Sequence, residues 1–308
     1  MSVSQRPLNL VIIGVTGRMG LALVRAASEI SDKLAITGAV ASTTSKSLGR
    51  DAGELAGVGP VDARVTDDLA AALARADVVV DFSQPHATRA NVTVCRAARK
   101  PLLIGTTGFG ADLTPLFDAA AAEIPLLIAP NTSIGVTLLT ELTRIAARSL
   151  PPDFDIEIIE AHHRMKKDAP SGTALALGRA AAQGRGLPES AVAEAAGLAG
   201  AGNAQLAGGV SAGSAPAGGA TGAGRDGLRS RSGERRTGDL GFAVIRGGDI
   251  VGDHTVLFAG TGEQITLGHR ATDRAVFARG ALRAALWLAA RPAGRYFMRD
   301  FIGLKTGA

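Results

Sequence analysis

The sequence predicts an α/β protein: a doubly wound parallel sheet with a second, α+β domain inserted before the chain returns to the first. Three observations carry this. Short apolar runs alternate with amphipathic helical stripes from residue 8 to 130. A glycine-rich turn, Gly14 to Gly20, sits between the first such run and the first stripe. The alternation then stops after Asn131 and gives way to one long helix, a strand, a helix and three successive strands.

Residues 8–14 are apolar, rich in β-branched side chains and end at glycine, which reads as a buried strand. In 17–30, Met19, Leu21, Leu23, Val24, Ala27 and Ile30 make a helical stripe. Strands follow at 34–41, 77–82, 101–105 and 125–130, and helices at 67–75, 86–99 and 112–123. Beyond Asn131 the pattern predicts a helix over 135–149, a strand over 154–160, a polar loop over 161–170 and a helix over 173–182. Three runs at 240–246, 249–258 and 262–270 read as neighbouring antiparallel strands, and a closing helix spans 272–290. The expected domains are 1–131 with 275–308, and 132–274. Within 195–224, Ala and Gly fill 21 of 30 positions with no charge and no aromatic ring, so this stretch is read as a flexible surface insertion.

Composition narrows the function. With 308 residues, 46% of them hydrophobic, the chain can bury a real core. No apolar run is long enough to cross a membrane as a helix. Leu8 to Gly14 is too short for a signal peptide and runs straight into the glycine turn. A single cysteine, Cys95, excludes an internal disulfide and a cysteine-rich zinc site, and a reducing cytoplasm is the expected compartment. The net charge of +5 suits small anions. With aromatics at only 4%, there is no basic stripe interleaved with rings, and nucleic acid is not an expected partner.

The turn Gly14-Val15-Thr16-Gly17-Arg18-Met19-Gly20 has the context of a dinucleotide site. Glycines allow a tight turn and close approach of the backbone to a pyrophosphate, and the helix start offers free N–H groups. This makes the first domain Rossmann-type. The acid that usually follows the second strand, and bonds the adenosine ribose in an NAD site, is missing. Ala41-Ser42-Thr43-Thr44-Ser45-Lys46 stands there, and the nearest acid downstream is Asp51. Hydroxyls plus a lysine suit a 2′-phosphate, so NADPH is expected to serve at least as well as NADH. Two further loops, Gly105-Thr106-Thr107-Gly108 and Ala129-Pro130-Asn131-Thr132, follow strands of the same sheet and are placed for the nicotinamide side.

The densest polar group is Glu160-Ala161-His162-His163-Arg164-Met165-Lys166-Lys167-Asp168-Ala169-Pro170-Ser171-Gly172-Thr173. Adjacent histidines followed by cations suit a dianionic substrate. Ser171-Gly172-Thr173 opens a helix, where a carboxylate can take backbone N–H bonds. Histidine is the commonest general acid or base, and a nearby lysine can donate a proton or stabilise developing charge. Solvated surface histidines and a simple helix cap are the bland alternatives. No third ligand stands at metal spacing, so no metal is expected.

The motifs GVTGRMG, IGTTGF, IAPNTSIGV, EIIEAHHRMKKDAPSGTAL and GGDIVGDHTV together resemble the 4-hydroxy-tetrahydrodipicolinate reductase (dihydrodipicolinate reductase) family of lysine and diaminopimelate biosynthesis. The likeness runs from about residue 8 to 304, apart from the Ala/Gly insertion. It implies a Rossmann domain plus an α+β domain that binds a small dicarboxylate and builds a homotetramer. It also implies NAD(P)H-dependent reduction of (2S,4S)-4-hydroxy-2,3,4,5-tetrahydrodipicolinate to tetrahydrodipicolinate with release of water. Gly14, Val15, Thr16, Gly17, Arg18 and Met19 would bind the pyrophosphate side. Gly105, Thr106 and Thr107, with Ala129, Pro130, Asn131 and Thr132, would bind the nicotinamide side. His162 would be the general acid and Lys166 a second proton donor, while His163, Gly172 and Thr173 hold the substrate carboxylates. The family often carries Glu-Arg after the second strand; Ala41 and Ser42 stand there instead, which leaves Ser42 on the adenosine side.

Two other functions fit part of the pattern. A short-chain dehydrogenase would share the glycine turn, but its chemistry needs Tyr-x-x-x-Lys. The only tyrosine, Tyr296, is followed four residues on by Asp300. A nonenzymatic NADPH sensor would keep Gly14 to Gly20 but would have no use for His162 and Lys166.

Overall fold

The computed structural model describes residues 6–197 and 236–304. The chain divides into two compact units, 1–134 with 275–308 and 135–274.

The first unit holds a seven-stranded sheet in the order β11-β6-β5-β4-β1-β2-β3, with every adjacent pair parallel. The strands are β1 (Leu8–Ile13), β2 (Leu34–Val40), β3 (Val65–Thr66), β4 (Val78–Asp81), β5 (Leu102–Ile104), β6 (Pro125–Ile128) and β11 (Gly294–Tyr296). Their unbroken apolar runs have a simple cause: both faces are covered, so both side-chain parities must be apolar. Leu10 and Ile12 face α1 (Arg18–Ser28) and a late helix, α9 (Ala275–Leu288), through Leu23, Val24, Ala281 and Leu282. Val11 and Ile13 share the opposite core with Val92 and Cys95 of α4 (Thr88–Ala97) and Phe117 of α5 (Thr114–Ala121). Burial, reinforced by Asp81, pushes the Cys95 thiol up to about 12, so it behaves as a core apolar group. α3 (Leu69–Ala72) lies within the helix expected over 67–75, and short elements absent from the periodicity reading complete this unit: α2 (Ala52–Ala56), β3, β11 and a last turn, α10 (Met298–Phe301).

In the second unit α6 (Ile134–Ser149) leads to a four-stranded sheet of β7 (Asp155–His162), β8 (Leu240–Arg246), β9 (Gly252–Gly260) and β10 (Glu263–Ala271), ordered β10-β9-β7-β8. α7 (Gly172–Arg185) packs on one face with α8 (Glu189–Ala195), burying Ile156, Ile158, Leu177, Val192, Phe242, Val256 and Phe258 together. Gly186, at φ 67°, ends α7 in the left-handed conformation open to glycine.

Three details differ from the sequence reading. The runs at 240–246 and 249–258 are not neighbours: β8 pairs β7 in parallel, and β9 takes the other side of β7. A parallel pair needs a long crossover, and the stretch from 163 to 239, which includes α7 and α8, supplies it. The polar loop begins later than 161, because β7 continues through His162. The helix expected over 173–182 runs from Gly172 to Arg185. Most of the Ala/Gly insertion at 195–224 lies outside the described residues, although Ala195 closes α8.

Candidate functional site

The strand order of the first unit reverses between β1 and β4, and open α/β sheets bind ligands beyond the carboxyl ends of such a pair. Gly14 sits there at φ 80°, where a Cβ would lie 2.5 Å from the carbonyl oxygen of Phe82. Gly17 is the N-cap of α1 and offers no capping side chain, and no acid stands in the first turn. The N–H groups of Arg18 and Met19 have no intrahelical acceptor at such a start. The turn is thus shaped for a pyrophosphate and electrostatically open to one.

Gly105 follows β5, and a Cβ on it would overlap the ring of Phe82 at 2.1 Å. Thr106 turns its hydroxyl inward, 3.3 Å from a carboxylate oxygen of the buried Asp81. Asp81 also accepts from Asn91 at 2.9 Å and from the Ser83 N–H at 2.8 Å. After β6, Thr132 donates to the carbonyl of Phe277 at 2.7 Å, and Asn131 accepts from the Ser133 N–H at 2.9 Å. The hydroxyls of Thr106 and Thr132 thus serve their own chain. What these loops offer a ligand is mainly backbone, with Thr107 exposed. Beyond β2, Ser42 and Thr44 share a hydroxyl hydrogen bond at 2.9 Å. Asp51 caps α2 and takes four backbone N–H bonds, from Gly53, Glu54, Val61 and Ala63. It is therefore committed to folding this loop. The glycine turn and the acid-free helix start together fit a dinucleotide.

In the second unit the apolar face of the sheet turns polar at the carboxyl end of β7. Glu160 and His162 are two apart and share that face. Arg246 of β8 stands opposite His162 in register, and His254 of β9 opposite Glu160. Arg246 grips both oxygens of Glu160, each at 2.8 Å. His162 hydrogen-bonds Glu160 through Nδ1. The Ser171 N–H donates to the same carboxylate at 3.0 Å. Burial by itself would raise the Glu160 pKa, but the hydrogen bonds from His162 and Arg246 outweigh it and hold the group down to about 2. An ionised carboxylate only accepts, so the Nδ1 of His162 carries a proton and Nε2 is left for other business.

Ser171 caps α7, its hydroxyl accepting from the Ala174 N–H at 3.2 Å. The same hydroxyl meets Nε2 of His254 at 3.1 Å. The rings of His162 and His254 pack edge to face, 5.1 Å between centroids. Lys166 pairs with Asp168 at 2.8 Å, and the Asp168 carbonyl accepts from Arg246 at 2.7 Å. His163 is half-buried; burial, reinforced by the charges of Arg274 and Lys166, lowers its pKa. Gly172 is exposed at the start of α7. No group of three or more metal-ligating side chains occurs among the described residues.

His254 makes a stability prediction. Burial, reinforced by His162, lowers its pKa to about 4 against the ordinary 6.5. Between those values the unfolded chain binds a proton that the folded chain refuses. Stability is then full above about pH 6.5 and falls as the pH drops toward 4, by on the order of 3 kcal/mol. Urea unfolding of wild type and His254→Asn from pH 7.5 to 4.5 should show the variant with the flatter slope. Parallel slopes would remove His254 as the cause. The carboxylate of Glu160 titrates lower, and its loss falls outside this window.

Two family models match almost end to end: the dihydrodipicolinate reductase N-terminal model over residues 8–132 and the C-terminal model over 135–302. The chain belongs to the dihydrodipicolinate reductase family. Among its relatives, the 4-hydroxy-tetrahydrodipicolinate reductase of Alkalilimnicola ehrlichii is 48% identical over 297 residues, 96% of this chain and 98% of that one. The enzyme named 4-hydroxy-tetrahydrodipicolinate reductase 1 of Mesorhizobium japonicum is 45% identical over 298 residues, 96% and 97% of the two chains. A dipicolinate-bound dihydrodipicolinate reductase from Paenisporosarcina sp. TG-14 has the same fold, with a TM-score of 0.67, 22% identity and coverage of 96% and 99%. The chain is an NAD(P)H-dependent oxidoreductase that reduces 4-hydroxy-tetrahydrodipicolinate to tetrahydrodipicolinate in lysine and diaminopimelate biosynthesis.

The first unit gathers Gly14 to Met19, Gly105 to Thr107 and Ala129 to Thr132 beyond β1, β5 and β6, with Ser42 beyond β2. The second unit gathers His162, His163, Lys166, Gly172 and Thr173 around the end of β7 and the start of α7. Sequence reasoning gave no role to Arg246, His254 or Glu160. His254 lies inside the GGDIVGDHTV motif, which was a signal; Arg246 gave none, because its importance comes from the pairing of β8 with β7. No helix among the described residues is long and apolar enough to cross a membrane.

Proposed function

We propose that the reaction is carried by His162 and Lys166, with His163, Gly172 and Thr173 holding the substrate carboxylates. The observation that carries this reading is the anchoring of His162 Nδ1 on Glu160, which commits Nε2 to the proton exchanged with substrate. The cofactor, when bound, supplies a hydride. The compensating proton comes from His162 Nε2. The Lys166 ammonium stabilises negative charge as it develops on the substrate and can give a second proton, while Asp168 steadies it. The exposed backbone at Gly172 and the dipole of a fourteen-residue helix favour one carboxylate, and the cations behind His163 favour the other. Gly14 to Met19 hold the pyrophosphate, and the loops at Gly105–Thr107 and Ala129–Thr132 hold the nicotinamide side.

NADPH is expected to be used at least as well as NADH. No acid occurs from Ala41 to Arg50, Lys46 is exposed, and Asp51 is spent as a cap. The chain is read as a cytoplasmic homotetramer.

The test is oxidation of each cofactor followed at 340 nm, with substrate made in situ from pyruvate and aspartate semialdehyde by the preceding synthase. Substrate-dependent oxidation is expected, with kcat/KM for NADPH equal to or above that for NADH. A strong NADH preference would overturn the reading of Ser42 to Lys46.

A further inference from the structure

The steps above use His162, His163 and Lys166 but not the most deeply enclosed charge among them. Glu160 is fully buried, and four donors fill its two oxygens. One oxygen accepts from Arg246 and His162, the other from Arg246 and the Ser171 N–H. These donors come from three elements: β7, β8 and the start of α7. Arg246 reaches further, donating to the Asp168 carbonyl at 2.7 Å, and the Asp168 side chain holds Lys166 at 2.8 Å.

We propose that the Glu160–Arg246 pair is the positioning element of this site. It pins the proton of His162 on Nδ1, so that Nε2 alone exchanges with substrate. It also locks the lysine loop and the carboxylate-binding helix start in one arrangement. The chemistry that requires Glu160 is specific. An amide or a water at this place could either donate or accept, and the neutral ring could then carry its proton on either nitrogen. A buried carboxylate clamped by a guanidinium fork can only accept. Arg246 suits the clamp because its planar fork matches both oxygens at once, which a lysine does not. In this reading both act through others, Glu160 through His162 and Arg246 through Glu160 and Asp168. The proposal rests on the reading of His162 as the proton donor.

The charged and titratable groups around the ring are Glu160 on β7, Arg246 on β8, His254 on β9 with His269 beyond it on β10, and His163, Lys166 and Arg274 from the loops. Among the described residues, Glu160 is the group that hydrogen-bonds the His162 ring.

The experiment joins ring 15N NMR with steady-state kinetics on the full-length enzyme. In wild type, the His162 ring signals, assigned by their loss in His162→Asn, should show neutral imidazole protonated on Nδ1. In Glu160→Gln, the Nε2-protonated form should appear. kcat should also drop by about 10–100-fold. On a His162→Asn background, Glu160→Gln should cost little further kcat, because the two act as one unit. A wild-type ring protonated on Nε2 would overturn the proposal without any variant, even if Glu160→Gln fails to fold. So would a Glu160→Gln enzyme with the wild-type tautomer, however reduced its stability, since that leaves the pair a purely structural one. Failure of the underlying reading looks different: His162→Asn would keep wild-type kcat, while the tautomer measurement still reported the hold of Glu160 on the ring.

Discussion

His162→Asn is expected to lower kcat by ~10²–10⁴-fold, the range contributed by a positioned general acid or base, and to leave KM within about threefold. Asparagine is the informative replacement. Its side-chain N–H can stand where Nδ1 stands and donate to Glu160, so the buried carboxylate keeps its fourth donor. What disappears is Nε2 and the proton it exchanges. Alanine would also open a gap beside His254, whose ring packs 5.1 Å from that of His162, and would mix lost chemistry with lost packing. Steady-state kinetics at saturating NADPH across a pH series decides the matter. A large fall in kcat with KM nearly constant means that the interaction is made in the transition state. An Asn variant with wild-type kcat would remove His162 from the proton path and leave Lys166 as the proposed donor.

The position of His162 shows what the sequence made legible and what it did not. The grouping of His162, His163, Lys166 and the Ser171–Thr173 helix start is local, spread over a dozen residues, and adjacency alone suggested a site. The contacts that hold this group together are non-local. Arg246 is 86 residues from Glu160, and His254 is 83 from Ser171. Neither relation exists until β8 and β9 take opposite sides of β7. The expectation that 240–246 and 249–258 pair directly would have left Arg246 off the edge of His162. Periodicity reports which residues share a face, not which strand lies beside which. Asp51 teaches the same lesson for the nucleotide. By spacing it was the nearest acid to the adenosine end; in the fold it is a cap that accepts from four backbone N–H groups.

The first unit was the more legible one, for a physical reason. A parallel sheet covered on both faces needs apolar residues at every position, so Leu10 to Ile13 and Val78 to Val80 stand out as runs. The elements that escaped were too short to show a period: two residues in β3, three in β11, five in α2. They hold their places by tertiary contacts, with β11 pairing β6 and Trp287 meeting Tyr296 edge to face.

That same unit yields the second large effect. Gly20→Ala is expected to weaken NADPH binding by ~100-fold, equivalent to about 2.7 kcal/mol, and to destabilise the fold by about 1–3 kcal/mol through overpacking. A Cβ at Gly20 would lie 2.3 Å from the Gly14 carbonyl oxygen and 2.5 Å from the backbone of Val15. These neighbours are main chain, so no side chain can swing aside to relieve the clash. The Gly14 carbonyl is also held, since it accepts from the Gly17 N–H at 3.0 Å. Relief therefore requires α1 to part from the turn after β1, and the N–H groups of Arg18 and Met19 move with it. Leu23, Val24 and Ala27 of α1 are packed into the core against the sheet, so the helix cannot shift without loosening that layer. Fluorescence titration with NADPH measures the affinity, and circular dichroism on the same sample shows that the chain is folded. A folded Gly20→Ala protein that binds NADPH as wild type does would mean that the turn after β1 is not where the pyrophosphate sits. The nucleotide would then have to be sought beyond the loops at Gly105 and Ala129 alone.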